Sequence, residues 1–273
     1  MPDSEPIFER LFKSCDSTDP IDLELEHGSA VFSSVPALDR PSGNEDAAGF
    51  WQIGPDTHVL AVADGLGGYP GGAEAAATAI DAISRAVAGI ETKDSLRSGI
   101  LDAFEDANSR LLEQGVGAAT TLIVVEVKGE LARTYHAGDS LALLVGQRGR
   151  LGFETISHSP TGYAVASGLL EQDDMHHDGE RHLLSNCLGS RTMRVEIGPP
   201  TRMAALDTLL LGSDGVADNI QRRDLIDLIR VGALLERARA LQTNIQATMR
   251  GTDPALPAHP DDATFLLFRR PRT

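Results

Sequence analysis

The apolar positions of this 273-residue chain fall into two rhythms. Short runs dense in leucine and β-branched residues, closed by glycine, aspartate or proline, predict strands over 57–63 (THVLAVA), 121–127 (TLIVVEV), 132–138 (ARTYHAG), 141–147 (LALLVGQ), 207–213 (DTLLLGS) and 264–270 (TFLLFRR). Longer stretches, 71–90 and 93–115, carry apolar residues at three- and four-residue spacing and finish beside glycine, as amphipathic helices do. A second helical pair is predicted over 222–231 and 232–250, with Leu225, Ile229, Leu234, Leu241 and Ile245 facing the core. Phe50 and Trp51 are read as core residues as well.

Runs 121–127 and 132–138 are linked by the turn KGE, which predicts antiparallel neighbours. The short gap between 132–138 and 141–147 predicts a second hairpin, making the sheet at least partly a meander. Helices come in two blocks and so do strands, a grouping that predicts an α+β fold with helices over the outer faces of packed antiparallel sheets. Residues 1–25 are polar and hold Pro2, Pro6 and Pro20; they are read as an N-terminal extension, partly mobile or a surface strand-leader, ahead of a domain over 26–273. Residues 158–185 follow neither rhythm and are read as an irregular insertion or flap.

Composition narrows the function. With 41% hydrophobic residues the chain can bury one substantial core. Its net charge of −16 and pI near 4.8 repel nucleic acid and anionic membrane surfaces, so neither is expected as a partner. No apolar stretch approaches the roughly 20 residues that span a bilayer, and the first residues lack the basic end and apolar centre of a signal peptide. A cytoplasmic location is the expectation. Cys15 and Cys187, far apart and in no metal-ligand spacing, fit free thiols in a reducing compartment.

Carboxylates recur at strand ends. Asp64 follows VLAVA, Asp139 follows ARTYHAG, Asp214 follows TLLLGS, Asp261 precedes ATFLLF, and Glu45 with Asp46 precedes AAGFW. One aspartate in such a place is ordinarily a turn former. Five such places converging on one point would repel each other unless hard cations held them, and an all-oxygen ligand set selects Mg²⁺ or Mn²⁺. Gly65, directly after Asp64, lets a backbone carbonyl approach an ion with no β-carbon in the way. The glycines of GLGG match neither a nucleotide-binding P-loop nor the dinucleotide fingerprint.

Taken in order, NEDA (44–47), VADGLGGYPGGAEAA (62–76), GAATTLIVV (117–125), AGDSLALL (137–144), LGSDGVAD (211–218) and DDATFLLF (261–268) resemble the motifs of the metal-dependent protein phosphatases, the type 2C Ser/Thr family, in its bacterial single-domain form. The resemblance covers about residues 44–268. It implies a four-layer α/β/β/α sandwich of two antiparallel sheets flanked by helix pairs, with a flap where 158–185 falls. It implies that Asp64 bridges two Mn²⁺ or Mg²⁺ ions with the Gly65 carbonyl as a further ligand, that Glu45 and Asp46 serve the same site, and that Asp214 and Asp261 hold the second ion. Asp139 matches the ligand of a third ion. Asp261 is chosen over Asp262 because the family writes this element Asp-Asn-x-Thr. Catalysis is then assigned to Asp64, Asp214 and Asp261, through a metal-activated bridging hydroxide that attacks phosphoserine or phosphothreonine in line.

The chain departs from the family at several points. Arg40, the candidate phosphate-binding arginine, stands five residues before Glu45 rather than four. GDSR has become GDSL at Leu141, and Tyr69 and Pro70 follow GLGG. Leu66 stands where many eukaryotic members carry a histidine. His176 and His177 are read as part of a solvated loop, and His136 as a packed or hydrogen-bonded side chain. The implied partners are a phosphoprotein substrate and a cognate Ser/Thr kinase, and a monomer is expected. Two other readings stay open: a pseudophosphatase that binds phosphoproteins without turnover, and a phosphatase of small molecules.

Overall fold

The computed structural model describes residues 7–38, 43–66, 71–90, 92–171, 175, 183–252 and 257–270. Two antiparallel sheets lie face to face. The first runs in the order β1 (Ile7–Lys13), β4 (Asp46–Ile53), β5 (Thr57–Asp64), β6 (Leu122–Lys128), β7 (Leu131–Ala137) and β10 (Glu196–Ile197), with β11 (Thr201–Arg202) also paired to β7. The second runs β2 (Ile21–Asp22), β3 (Ser29–Val35), β13 (Ala263–Arg269), β12 (Thr208–Gly212), β8 (Leu141–Val145) and β9 (Leu151–Glu154). Helices α1 (Gly72–Ala88) and α2 (Leu96–Gln114) cover the outer face of the first sheet. Helices α5 (Arg222–Ile229) and α6 (Leu234–Met249) cover that of the second. Two short helices, α3 (Pro160–Ala166) and α4 (Asp214–Ala217), lie off this frame.

The four layers follow from how each strand divides its side chains. In β5, Val59, Ala61 and Ala63 pack toward α1 and α2, while Leu60 and Val62 enter the core between the sheets. In β12, Leu209 and Leu211 face the inter-sheet core and Leu210 faces the α5–α6 pair. Strands buried on both faces read as continuous apolar runs, which is why these segments stood out in the sequence. Each fully buried leucine or phenylalanine contributes about 1.5–3 kcal/mol relative to exposure. Phe50 and Trp51, both buried, point to opposite cores. Leu225, Ile229, Leu234, Leu241 and Ile245 all lie in the outer core of the second sheet.

The expected hairpin between 132–138 and 141–147 does not form. Strand β7 pairs with β6, β10 and β11, whereas β8 pairs with β12 and β9 in the other sheet. Residues 138–140 turn a corner between sheets instead of reversing the chain. Gly138 sits at φ +128, and a β-carbon there would lie 2.5 Å from the Thr121 β-carbon. Burial explains the choice: β8 must hide Ala142 and Leu144 between the sheets and Leu143 and Val145 under α5 and α6. Only the second sheet offers both. Asp139 rides on this corner. The meander expected from 121–127 into 132–138 is present as β6–β7.

Part of the 1–25 segment is built into the fold. Strand β1 pairs residue by residue with β4, from Ile7 opposite Ile53 to Lys13 opposite Ala47. Its polar neighbours mask an inward pair, Phe8 and Phe12, which pack against the inter-sheet core; Phe12 stacks on Phe32 with ring centroids 3.7 Å apart. Among the described residues no helix is long and apolar enough to cross a membrane. Both cysteines are free.

Candidate metal centre

Strand ends bring the carboxylates together. Asp46 opens β4 and Asp64 closes β5, and the two stand opposite each other at the last rung of that ladder. Asp214 follows β12 and opens α4, Asp261 lies two residues before β13, and Asp139 lies on the corner after β7. Strands of both sheets thus end at one edge of the sandwich. Asp64, Asp139, Asp214 and Asp261 keep part of their surface open to solvent, whereas Asp46 is buried.

Close backbone packing supports the arrangement. A β-carbon on Gly65 would lie 2.3 Å from the Gly72 carbonyl oxygen, so only glycine lets the chain pass between Asp64 and α1. The Glu45 carboxyl rests against Gly72 at the start of α1, and the Glu45 amide donates to Asp262 Oδ2 at 2.9 Å. Asp262 Oδ1 accepts from the Ala37 amide at 2.7 Å. Asp262, buried, therefore spends both oxygens on backbone, while its half-exposed neighbour Asp261 interacts electrostatically with Asp46, Asp64, Asp139 and Asp214.

Hydroxyl groups tie the acidic positions to one another. The Asp64 amide donates to Thr121 Oγ1 at 3.0 Å, and the Asp64 carbonyl accepts from the Thr121 amide and from Thr120 Oγ1. Thr121 Oγ1 also bonds Ser140 Oγ at 2.7 Å, linking the Asp64 strand end to the Asp139 corner. Ser213 Oγ donates to Asp46 Oδ2 at 2.9 Å and accepts from the Thr264 amide, which locks the other two strand ends together.

Electrostatics sets the chemistry of this cluster. Burial, and then repulsion from Asp214 and Asp46, drive the Asp64 carboxyl well above its ordinary range. Burial, then Asp139, Asp261 and Asp218, do the same to Asp214. Asp46 is pushed up to about 8, mainly by burial, with Ser213 and Thr264 hydrogen bonds opposing. Asp139 rises to about 6 through burial and the nearby Asp218 and Asp261. Among the described residues no basic side chain enters these balances. Asp46 Oδ1 and Asp214 Oδ1 are buried with no hydrogen-bond partner. Mutually repelling carboxylates, partly withdrawn from solvent and with unsatisfied oxygens on Asp46 and Asp214, fit hard divalent cations bound through oxygen.

Two neighbours escaped the sequence reading. Asp218 lies four residues after Asp214, a spacing that returns it to the same side of a helical turn, and it adds to the charge on Asp139 and Asp214. His158 braces the corner: its Nδ1 accepts from the Gly138 amide at 3.1 Å and its own amide donates to the Gly138 carbonyl. His136, His158 and Glu196 place ligand-type atoms within 4.8 Å of one another, and the two rings stack at 4.4 Å. The Gly138 amide fixes the tautomer, leaving the His158 proton on Nε2, where it points to Glu196 Oε2 at 3.2 Å. With that lone pair unavailable the trio is a hydrogen-bonded pillar under Asp139 rather than a cation site. His136 donates from Nε2 to the Ile156 carbonyl, in keeping with a packed, hydrogen-bonded role.

Arg40, Tyr69 and Pro70, together with His176, His177 and their acidic neighbours, lie outside the described residues.

The family model described as protein phosphatase 2C matches residues 38–250, most of the chain and all of the acidic positions except Asp261. The chain belongs to the protein phosphatase 2C family. Among curated relatives of this phosphatase 2C chain, the serine/threonine phosphatase stp of Listeria welshimeri is 24% identical over 197 residues, covering 68% of this chain and 77% of that protein. The serine/threonine protein phosphatase PstP of Mycobacterium tuberculosis is 26% identical over 222 residues, covering 78% of this chain but 40% of that longer protein. The solved catalytic domain of a PstP in complex with two manganese ions superposes with a TM-score of 0.72 at 23% identity, over 90% of this chain and 99% of that one. At that identity the superposition speaks for the fold, which is the family's two-sheet sandwich.

Proposed function

We propose that this chain is a metal-dependent protein serine/threonine phosphatase. One observation carries the reading beyond family membership: strand ends from both sheets deliver Asp46, Asp64, Asp139, Asp214 and Asp261 to one edge, and burial with mutual repulsion raises the proton affinities of Asp46, Asp64, Asp139 and Asp214. A cluster so charged is unstable alone and suited to divalent ions. Asp64, the Gly65 carbonyl, Asp214 and Asp261 would hold two Mn²⁺ or Mg²⁺ ions, with Glu45 and Asp46 serving the same pair and Asp139 a third. When bound, such ions supply Lewis acidity that activates water at neutral pH and offsets phosphoryl charge.

The chain's own residues do the rest. Asp64 and Asp214 are close enough to interact directly, so their carboxylates fix the separation of whatever they hold. Thr120 and Thr121 clamp the Asp64 backbone, and Ser213 orients Asp46. The serines beside the acidic set, Ser140 and Ser213, are buried with their hydroxyls bonded to Thr121 and Asp46, and burial and Asp139 push the Cys187 thiol up, which favours direct transfer to water over a covalent intermediate. We assign the activity to a cytoplasmic monomer acting on proteins phosphorylated by a Ser/Thr kinase. The test is phosphate release from a phosphothreonine peptide and from p-nitrophenyl phosphate with and without Mn²⁺, for wild type and Asp214→Asn. Mn²⁺-dependent turnover lost in the variant supports the reading. Mn²⁺ binding without turnover of either substrate would favour a phosphoprotein-binding pseudophosphatase.

A further inference from the structure

A cavity of about 200 Å³ opens beside the acidic cluster, with Asp139 and Asp214 in its wall. Strand β9 and the residues after it form one side, the flap helix α3 another, and the α4–α5 segment the third. Its lining is chiefly aliphatic: Leu141, Ile156, Val165, Ala166, Ile220 and Leu225. Leu141 is the residue that replaces the polar arginine of the family motif GDSR, and here it faces this space.

Away from the acidic cluster, most polar groups of the lining are already committed. Thr155 Oγ1 accepts from the Ala142 amide at 2.9 Å. Ser157 and Ser159 bond each other at 2.7 Å, and Ser159 Oγ also caps α3 through the Gly162 amide. Among the described lining residues the one guanidinium, Arg222, is paired with Glu154. What the cavity can still satisfy is apolar surface. It is smaller than the roughly 300–1,000 Å³ pockets that enclose whole small ligands. That size suits one side chain of a larger molecule whose reacting group lies at the adjoining carboxylates.

We propose that this cavity receives the aliphatic or aromatic side chain of a residue flanking the phosphorylated serine or threonine, and so selects phosphoprotein substrates. The inference rests on the phosphatase reading and adds a substrate preference to it. An acidic flanking residue would meet an aliphatic wall and Glu154, whose ion-pair partner Arg222 is the only basic side chain among the described lining residues, so it is selected against.

The experiment compares kcat/KM for phosphothreonine peptides that differ only at single flanking positions, carrying Leu, Ala, Asp or Lys, with Mn²⁺ present and p-nitrophenyl phosphate as the reference for chemistry. Wild type is set beside Ala166→Trp, which fills the cavity from an exposed position at the end of α3, and Ala166→Ser, which leaves it open. Because the readout is a ratio between peptides within each protein, a general loss of activity does not disguise it. At one flanking position Leu should exceed Asp by tenfold or more, a discrimination within the ~10–200-fold range of apolar pockets. Ala166→Trp should flatten that ratio to about twofold, and Ala166→Ser should keep it. Equal rates for all peptides, or a preference for Lys, would overturn the proposal while leaving the phosphatase reading intact. Failure to hydrolyse any peptide or the reference ester would remove both.

Discussion

Asp46 and Asp64 face each other across the last rung of the β4–β5 ladder, so two carboxylates that would be kept apart in a merely stable protein are held together by strand register. The cost is visible in Asp46, whose carboxyl is buried, raised to about 8 and left with Oδ1 unpartnered. Asp46→Asn should therefore act in opposite directions on stability and binding. Without metal it relieves repulsion and should raise the melting temperature by about 2–4 °C per kcal/mol recovered. With Mn²⁺ it should weaken binding by about tenfold or more. Scanning fluorimetry with and without Mn²⁺ checks both signs; a variant less stable in both conditions contradicts the account.

Ser213 holds Asp46 Oδ2 at 2.9 Å while accepting the Thr264 amide. Removing this hydroxyl leaves the carboxylate buried but unaimed. Ser213→Ala should lower Mn²⁺ affinity by ~10–100-fold, the usual penalty for deleting a hydrogen bond behind a metal ligand. Circular dichroism should stay unchanged. Calorimetric titration that found wild-type affinity would show Asp46 to be a bystander.

Much of this was legible in the sequence because burial on both faces turns strands into apolar runs and leaves their end carboxylates exposed to reading. β5 and β12 announce themselves in this way, and so do Asp64 and Asp214. β1 did not, since Glu9, Arg10 and Lys13 interrupt its inward Phe8 and Phe12 and only pairing with β4 gives it a place. The link over 138–140 predicts a hairpin and forms a corner, because a short link fixes proximity, not direction. What decides direction is the Gly138 backbone and the burial available to β8, both tertiary facts. His158 gave no signal of its own: its role lies in two bonds to a glycine twenty residues earlier.

The raised carboxyls set the pH behaviour of the metal-free protein. Groups whose folded proton affinity exceeds the unfolded value stabilise the fold at low pH and lose that contribution as pH rises through the folded value. For Asp139 and Asp46 this loss runs from about pH 4 through about 6 and about 8. Mn²⁺ replaces those protons, so the increase in melting temperature on adding it should be small at pH 5 and grow toward pH 8. An Mn²⁺ effect that is flat over this range contradicts the carboxylate assignment.

A buried histidine away from the site gives the reverse slope on the acid side. His58 lies beside the Phe50 and Phe268 rings, and burial lowers it to about 4. The unfolded chain binds the proton first, so stability falls as pH drops from about 6.5 toward 4, by on the order of 3 kcal/mol in total. His58→Leu should flatten that part of the curve, as measured by urea denaturation at pH 7, 6 and 5. Parallel curves for the two proteins would show another group to be responsible.

The central claim is that the carboxylates converging from the two sheets hold divalent cations. Calorimetric titration of Mn²⁺ into metal-free wild type, Asp64→Asn and Asp214→Asn tests it most directly. Wild type should bind at least two ions saturably, and each variant should lose about 100-fold or more in affinity. Binding of equal stoichiometry and affinity to all three proteins would contradict it.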